Sequence, residues 1–182
     1  MKLKRGDLFP SRILRTVTGS EVHVPDGSLL THLQFRRFVG CPICNTHIAE
    51  MMKRAGEIKS AGIHEVIFFH SRAEEMRPLQ EGVPFDLVAD AEKVYYKEFG
   101  VETSLAYILN LKAITAAVRG MLNGNVPFKM TGGPLGQPAD FLIEPNGRVL
   151  AAKYGRHAYD QWSVDELLSL AGSAVRPLRK SG

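Results

Sequence analysis

Two cysteines, Cys41 and Cys44, stand three positions apart in Phe38-Val39-Gly40-Cys41-Pro42-Ile43-Cys44, and the 182-residue chain has no others. A thiol is nucleophilic as thiolate, and the first turn of a helix stabilises an anion through its free N–H groups and the positive end of its dipole. Pro42 suits the first helical position, where a missing N–H costs least, so Cys41 is expected at about the N-cap. Cys44 then lies about one turn further along the same face, within reach of a mixed disulfide at Cys41. The spacing points to a redox-active dithiol, with Cys41 attacking and Cys44 resolving.

Other side chains gather around this pair in the sequence. Arg36 and Arg37 end the segment before Cys41, and either could lower its pKa or orient an oxidant, the plainer alternative being a solvated pair at a strand end. Gly40, immediately before Cys41, is expected to leave the thiol open. His70 could carry a proton, but it reads as an ordinary polar residue at the same sheet edge. Zinc needs about four ligands. Cys41, Cys44 and His47 offer three at most, and Asn45 after Cys44 breaks the haem-attachment pattern, so neither a metal nor a bound cofactor is expected.

These residues need a scaffold, and the composition bounds it. With 45% hydrophobic and 23% charged residues, the chain should bury one good core as a single domain, 1–182. The N-terminus, Met1-Lys2-Leu3-Lys4-Arg5-Gly6-Asp7, is charged with no apolar run behind it, and no stretch approaches the ~18 consecutive apolar residues of a membrane span. A cytoplasmic protein that does not engage membranes is expected. Two cysteines in one CxxC cannot form a disulfide framework of the secreted kind. The net charge of +4 comes from scattered Lys and Arg, which does not argue for nucleic acid.

Ile13 to Val17 and Glu21 to Val24, joined through Thr18-Gly19-Ser20, predict an N-terminal hairpin within residues 1–28. Leu29 to Val39 alternates, Leu33 and Phe35 against His32, Gln34 and Arg36, which predicts a strand whose second face is unusually polar. From Pro42 to about Ala61 the spacing of Ile43, Ile48, Met51, Met52, Ala55 and Ile58 predicts one helix, with the methionines as core. Glu65 to Phe69 is a second strand, apolar enough to be covered on both faces. Ser71 and Glu74 predict a capping box for the next helix. Phe85 to Ala89 is a third strand, and Asp90 caps a helix running to Gly100. Strand and helix alternate here, which implies parallel strands with chemistry at their C-terminal ends.

Ser104 to Met121 predicts a helix apolar on two sides, wedged between the core and a second surface such as another copy in a homodimer. Residues 123–138 form a Gly/Pro-rich loop. Phe141-Leu142-Ile143, Glu144-Pro145-Asn146-Gly147 and Val149 to Tyr154 read as an antiparallel hairpin. Ser163 and Glu166 form a capping box for the last helix, with Trp162 read as packing before it.

The ordered set resembles the thioredoxin-like superfamily and, within it, the alkyl hydroperoxide reductase and thiol-specific antioxidant (AhpC/TSA) group of peroxiredoxin-like proteins. The fragments that carry the resemblance are Gly6-Asp7-Leu8-Phe9-Pro10, the strand into Cys41-Pro42-Ile43-Cys44, Pro84-Phe85-Asp86-Leu87-Val88-Ala89-Asp90, Tyr96-Lys97-Glu98-Phe99-Gly100-Val101, and Gly136-Gln137-Pro138-Ala139-Asp140-Phe141-Leu142-Ile143. The resemblance implies an α/β thioredoxin-like fold: a central mixed sheet flanked by helices on both faces, with an inserted helix and loop at 101–136. Typical peroxiredoxins carry P-x-x-x-T-x-x-C and a later Arg. Here Gln34, Phe38 and Pro138 occupy those three positions. In thioredoxins CxxC pairs with a cis-proline before an aliphatic strand, and Pro138-Ala139-Asp140-Phe141-Leu142-Ile143 looks similar. Gln137-Pro138 is therefore expected to be cis, beside Cys41, and to bind substrate.

The expected activity is a thiol-disulfide oxidoreductase or peroxiredoxin-like antioxidant. Its substrate would be a hydroperoxide or a protein disulfide, and its reductant an external thiol donor of the thioredoxin or glutathione type. The alternative class is a non-enzymatic thioredoxin-fold interaction or redox-sensing module, docking through 104–121.

Overall fold

The computed structural model describes residues 2–101, 137–157 and 159–178. A separate hairpin opens the chain, β1 (Arg12–Arg15) antiparallel to β2 (Glu21–Val24). The main sheet contains β3 (Leu30–Arg36), β4 (Ile63–Phe69), β5 (Asp86–Ala89), β6 (Ala139–Ile143) and β7 (Val149–Tyr154), in the spatial order β5-β4-β3-β6-β7. β3, β4 and β5 are parallel, whereas β6 is antiparallel to both β3 and β7. β3 is thus the central strand, and the segment leaving its C-terminal end leads into the dithiol helix.

The helices follow from local signals with two departures. The single helix expected over 42–61 is two, α1 (Pro42–Lys53) and α2 (Ala55–Ser60), broken at Arg54, whose backbone (φ −110°, ψ 17°) leaves the helical region. The Arg54 guanidinium is drawn to Glu57 at 2.8 Å and to Asp165 on the last helix at 2.7 Å. Gly62 then ends the run at φ +69°, a conformation a side chain would strain. The second departure is at α3 (Ala73–Gln80), whose first turn is closed by Glu75 accepting from the Arg72 N–H at 3.3 Å. The expected cap, Ser71, is diverted because its Oγ accepts from the Val39 N–H at 3.0 Å.

Asp90 caps α4 (Val94–Glu98) as expected, its carboxylate accepting from the Val94 and Tyr95 N–H groups at 2.8 Å each. Ser163 and Glu166 form their reciprocal box before α5 (Val164–Leu178), with Ser163 N–H to Glu166 Oε2 at 2.8 Å and Glu166 N–H to Ser163 Oγ at 3.2 Å. The helix expected at Ser104–Met121, and the loop at 123–138 up to residue 136, lie outside the described residues.

Each sheet face has its own core. One packs Phe35, Phe68, Tyr96, Phe99 and Phe141 beneath the N-terminal hairpin and α4, with Phe35 stacked on Phe68 at 4.8 Å between ring centroids. The other buries Ile67, Phe69, Leu87 and Leu142 against α1, α2, α3 and α5 through Ile48, Met51, Ile58, Met76, Leu167 and Ala171. Among the described residues no helix is long and apolar enough to cross a membrane.

Candidate active site

Arg37 to Gly40 turn the chain from β3 into α1. Cys41 is the N-cap of α1 with extended backbone (φ −73°, ψ 115°), and Pro42 follows in the first turn. The Cys41 N–H donates to the Phe38 carbonyl at 3.0 Å, and its own carbonyl accepts from Asn45 N–H at 3.0 Å, starting the helical ladder. Neither cysteine is in a disulfide. Hydrogen bonding to Cys41, then burial, push the Cys44 thiol well above its ordinary value, and the charge of Cys41 adds to this against weaker help from Arg36. Arg37 Nη1 lies 3.5 Å from Cys41 Sγ, and the guanidinium covers the Phe38 ring at 5.2 Å.

Gly40 does not leave the thiol open. Cys41 is 1% exposed, because the turn folds it into the core it shares with Phe38, Ile48 and Trp162. Arg36 and Arg37, for which a solvated pair was the plain alternative, are both fully buried. They diverge by strand alternation. Arg37 goes to Cys41, while Arg36 points to the α1 side of the sheet and meets Asp140 Oδ1 and Gln34 Oε1, each at 2.5 Å.

That encounter belongs to a buried network crossing three strands. His32 Nδ1 is 2.8 Å from Glu65 Oε2 on β4, and His32 Nε2 is 3.3 Å from Asp140 Oδ1 on β6. Gln34 Nε2 donates to Glu65 Oε2 at 2.5 Å. Burial alone would lower the His32 pKa, but Glu65 and Asp140 outweigh it and raise it to about 9. Burial works the other way on Asp140, where Arg36 and His32 prevail and hold the carboxyl well below the usual range. His47, one turn after Cys44, sits 3.4 Å from Arg36 Nη2, and burial plus that charge lower it to about 3. The signal for this network was the polar second face of β3; its partners, Glu65 and Asp140, gave none. Among the described residues no group of three or more His, Cys, Asp or Glu side chains is arranged to hold a metal ion.

Pro138 departs from expectation. The cis proline bond among the described residues is Val24–Pro25, and Gln137–Pro138 is trans. The Pro138 carbonyl accepts from Gly155 N–H at 2.8 Å, so Pro138 continues the β6–β7 pairing, and the surrounding sheet holds the preceding bond in the commoner trans form. Gln137 is half-buried beside it.

A five-stranded mixed sheet of this order, with CxxC at the helix entrance that follows its central strand, defines a thioredoxin-like α/β protein. Residues 50–157, more than half of the sequence, match the AhpC/TSA antioxidant enzyme family, and the chain belongs to it. The match begins beyond Cys44, so it assigns the cysteines no role.

No curated protein matches the sequence. Among solved structures, the chain is similar to peroxidoxin BcpB from Mycobacterium tuberculosis, with 16% identity, a TM-score of 0.67, and coverage of 94% of this chain and 97% of the other. The reduced 2-Cys peroxiredoxin of Plasmodium vivax gives 14%, 0.69, and 97% and 99%. PrxQ from Xylella fastidiosa, in a cysteine-to-serine variant, gives 14%, 0.66, and 97% and 99%. At such identities the likeness is one of fold.

Proposed function

We propose that the protein is a thiol peroxidase in which Cys41 is the nucleophile and Cys44 the resolving thiol. The observation that carries this is the position of Cys41 at a helix entrance, with an arginine nitrogen 3.5 Å from its sulfur and Cys44 hydrogen-bonded beside it. The helix dipole and the guanidinium both favour thiolate at Cys41, whereas Cys44 is held as thiol until needed. Burial of Cys41 favours a small hydroperoxide over a protein disulfide, whose sulfur must approach in line with the attacking one.

Cys41 thiolate attacks the outer peroxide oxygen, forming S–O and breaking O–O, and an alcohol or water departs. Cys44 sulfur then displaces the sulfenic hydroxyl as water and closes the disulfide. An external thiol donor of the thioredoxin or glutathione type returns both thiols. Replacing Cys41 with Ser should abolish hydroperoxide consumption. Replacing Cys44 with Ser should permit one oxidation of Cys41 per molecule and then stop. Equal turnover by the two variants would reject the roles. Burial of the thiol also suits a redox-sensing module; a wild-type protein that is oxidised once but never recycled by donor would favour that reading.

A further inference from the structure

We propose that His70 is a further catalytic residue, hydrogen-bonding the oxygen that leaves as Cys41 is oxidised; this rests on the reading of Cys41 as peroxide nucleophile. His70 follows the last residue of β4, and its N–H donates to the Arg37 carbonyl at 3.2 Å, which fixes it beside the arginine that reaches Cys41. Its ring meets Phe38 and Tyr96 edge-on, with centroids at 6.2 and 5.6 Å, and is fully buried. Among the described residues neither Nδ1 nor Nε2 has a hydrogen-bond partner. Burying two polar atoms unpaired is costly, and a residue used only for packing has no reason to be a histidine here.

The electrostatics fix which form the ring takes. Burial, then the charges of Lys93 and Arg37, lower its pKa to about 3, so the imidazole is neutral. A neutral imidazole presents one N–H donor and one lone pair. The inner oxygen of a hydroperoxide can accept from that N–H. The Arg37 guanidinium lies 3.5 Å from the Cys41 sulfur and 5.2 Å over the Phe38 ring, which meets the His70 ring edge-on, so Arg37 and Phe38 link the attacking sulfur to the imidazole.

As S–O forms and O–O breaks, the bonding pair leaves on the inner oxygen, and the imidazole N–H stabilises that charge without itself ionising. The proton released when the Cys41 thiol ionised ends on the departing alcohol, and the terminal hydroxyl stays on sulfur as sulfenic acid. No other reagent is consumed.

The test compares His70→Phe with wild type in two reactions of Cys41: oxidation by tert-butyl hydroperoxide, and alkylation by iodoacetamide, whose leaving group is iodide and needs no oxygen-binding donor. The expected result is an oxidation rate lower by about 10²-fold, alkylation unchanged, and an elevated Tm because unpaired buried nitrogens are gone. His70→Asn, which restores a neutral donor and acceptor, should recover part of the oxidation rate. If Phe does not fold, His70→Leu takes its place. Unchanged oxidation, or oxidation and alkylation falling together, would overturn the assignment of His70 while leaving Cys41 as peroxidatic. A wild type inert to the hydroperoxide would instead overturn the proposed function, and this inference with it.

Discussion

Removing the charge of Asp140 tests whether the buried network under α1 is an integral part of the core. Asp140 and Arg36 are both fully buried, and the guanidinium meets Oδ1 at 2.5 Å. In Asp140→Asn the shape is kept but the anion is lost. Arg36 is then left with neutral acceptors: Gln34 Oε1 at 2.5 Å and the carbonyls of Phe35 and Ala139 at 3.3 and 3.5 Å. His32 loses one of its two carboxylates at the same time. Breaking a buried pair so that one charge is stranded costs about 3–5 kcal/mol. In a chain of this size that corresponds to a Tm lower by about 6–20 °C. Replacing both partners with apolar residues, Arg36→Met with Asp140→Leu, removes the stranded charge, and such exchanges are often neutral or stabilising. Urea denaturation of the two variants beside wild type measures both effects. A single variant that loses less than about 1 kcal/mol, or a double variant no more stable than the single, would refute the view that Arg36 depends on Asp140 for its burial.

Stability should also fall with alkaline pH. The His32 pKa is raised in the folded protein to about 9 from an ordinary 6.5, so its contribution is complete below pH 6.5 and disappears as pH rises through 9. The shift corresponds to about 3 kcal/mol, read from denaturation midpoints across that window, and a flat profile would contradict it. At Gly155, an added Cβ would lie 2.7 Å from Pro138 Cγ and closer still to the Asp160 carbonyl oxygen, so Gly155→Ala should destabilise by about 1–3 kcal/mol through a forced backbone shift. Thermal melting checks this, and an unchanged Tm would show that the β7 exit adapts freely.

What the sequence disclosed was what short-range chemistry decides. Cys41, Pro42 and Cys44 specify their helix entrance within four residues, and Ser163 with Glu166 specify theirs. The alternating pattern of Leu29 to Val39 predicted a strand and even its polar second face. The same pattern could not disclose why that face is polar, since Asp140 reaches Arg36 and His32 from β6, about a hundred residues later, by a register that only the assembled sheet sets. Ser71 failed as a helix cap for the same kind of reason, being claimed by a backbone N–H from the turn before Cys41.

Pro138 and Cys41 make the same point at the candidate site. The isomer of the Gln137–Pro138 bond is set by the packing around it in the assembled sheet, where Pro138 sits beside Gly155 of the neighbouring strand, and no short-range signal fixes it. The exposure of Cys41 was inferred from its small neighbour Gly40, yet burial of a turn is decided by how it packs on the sheet. Arg37, Phe38 and His70 meet there from two strand ends. In the reduced form the Cys41 thiol is enclosed by its own core beside Arg37, which leaves little room for a protein disulfide to reach it. If His70 acts as proposed, the same enclosure that closes Cys41 to large partners supplies the hydrogen bond that distinguishes a peroxide from any other small electrophile.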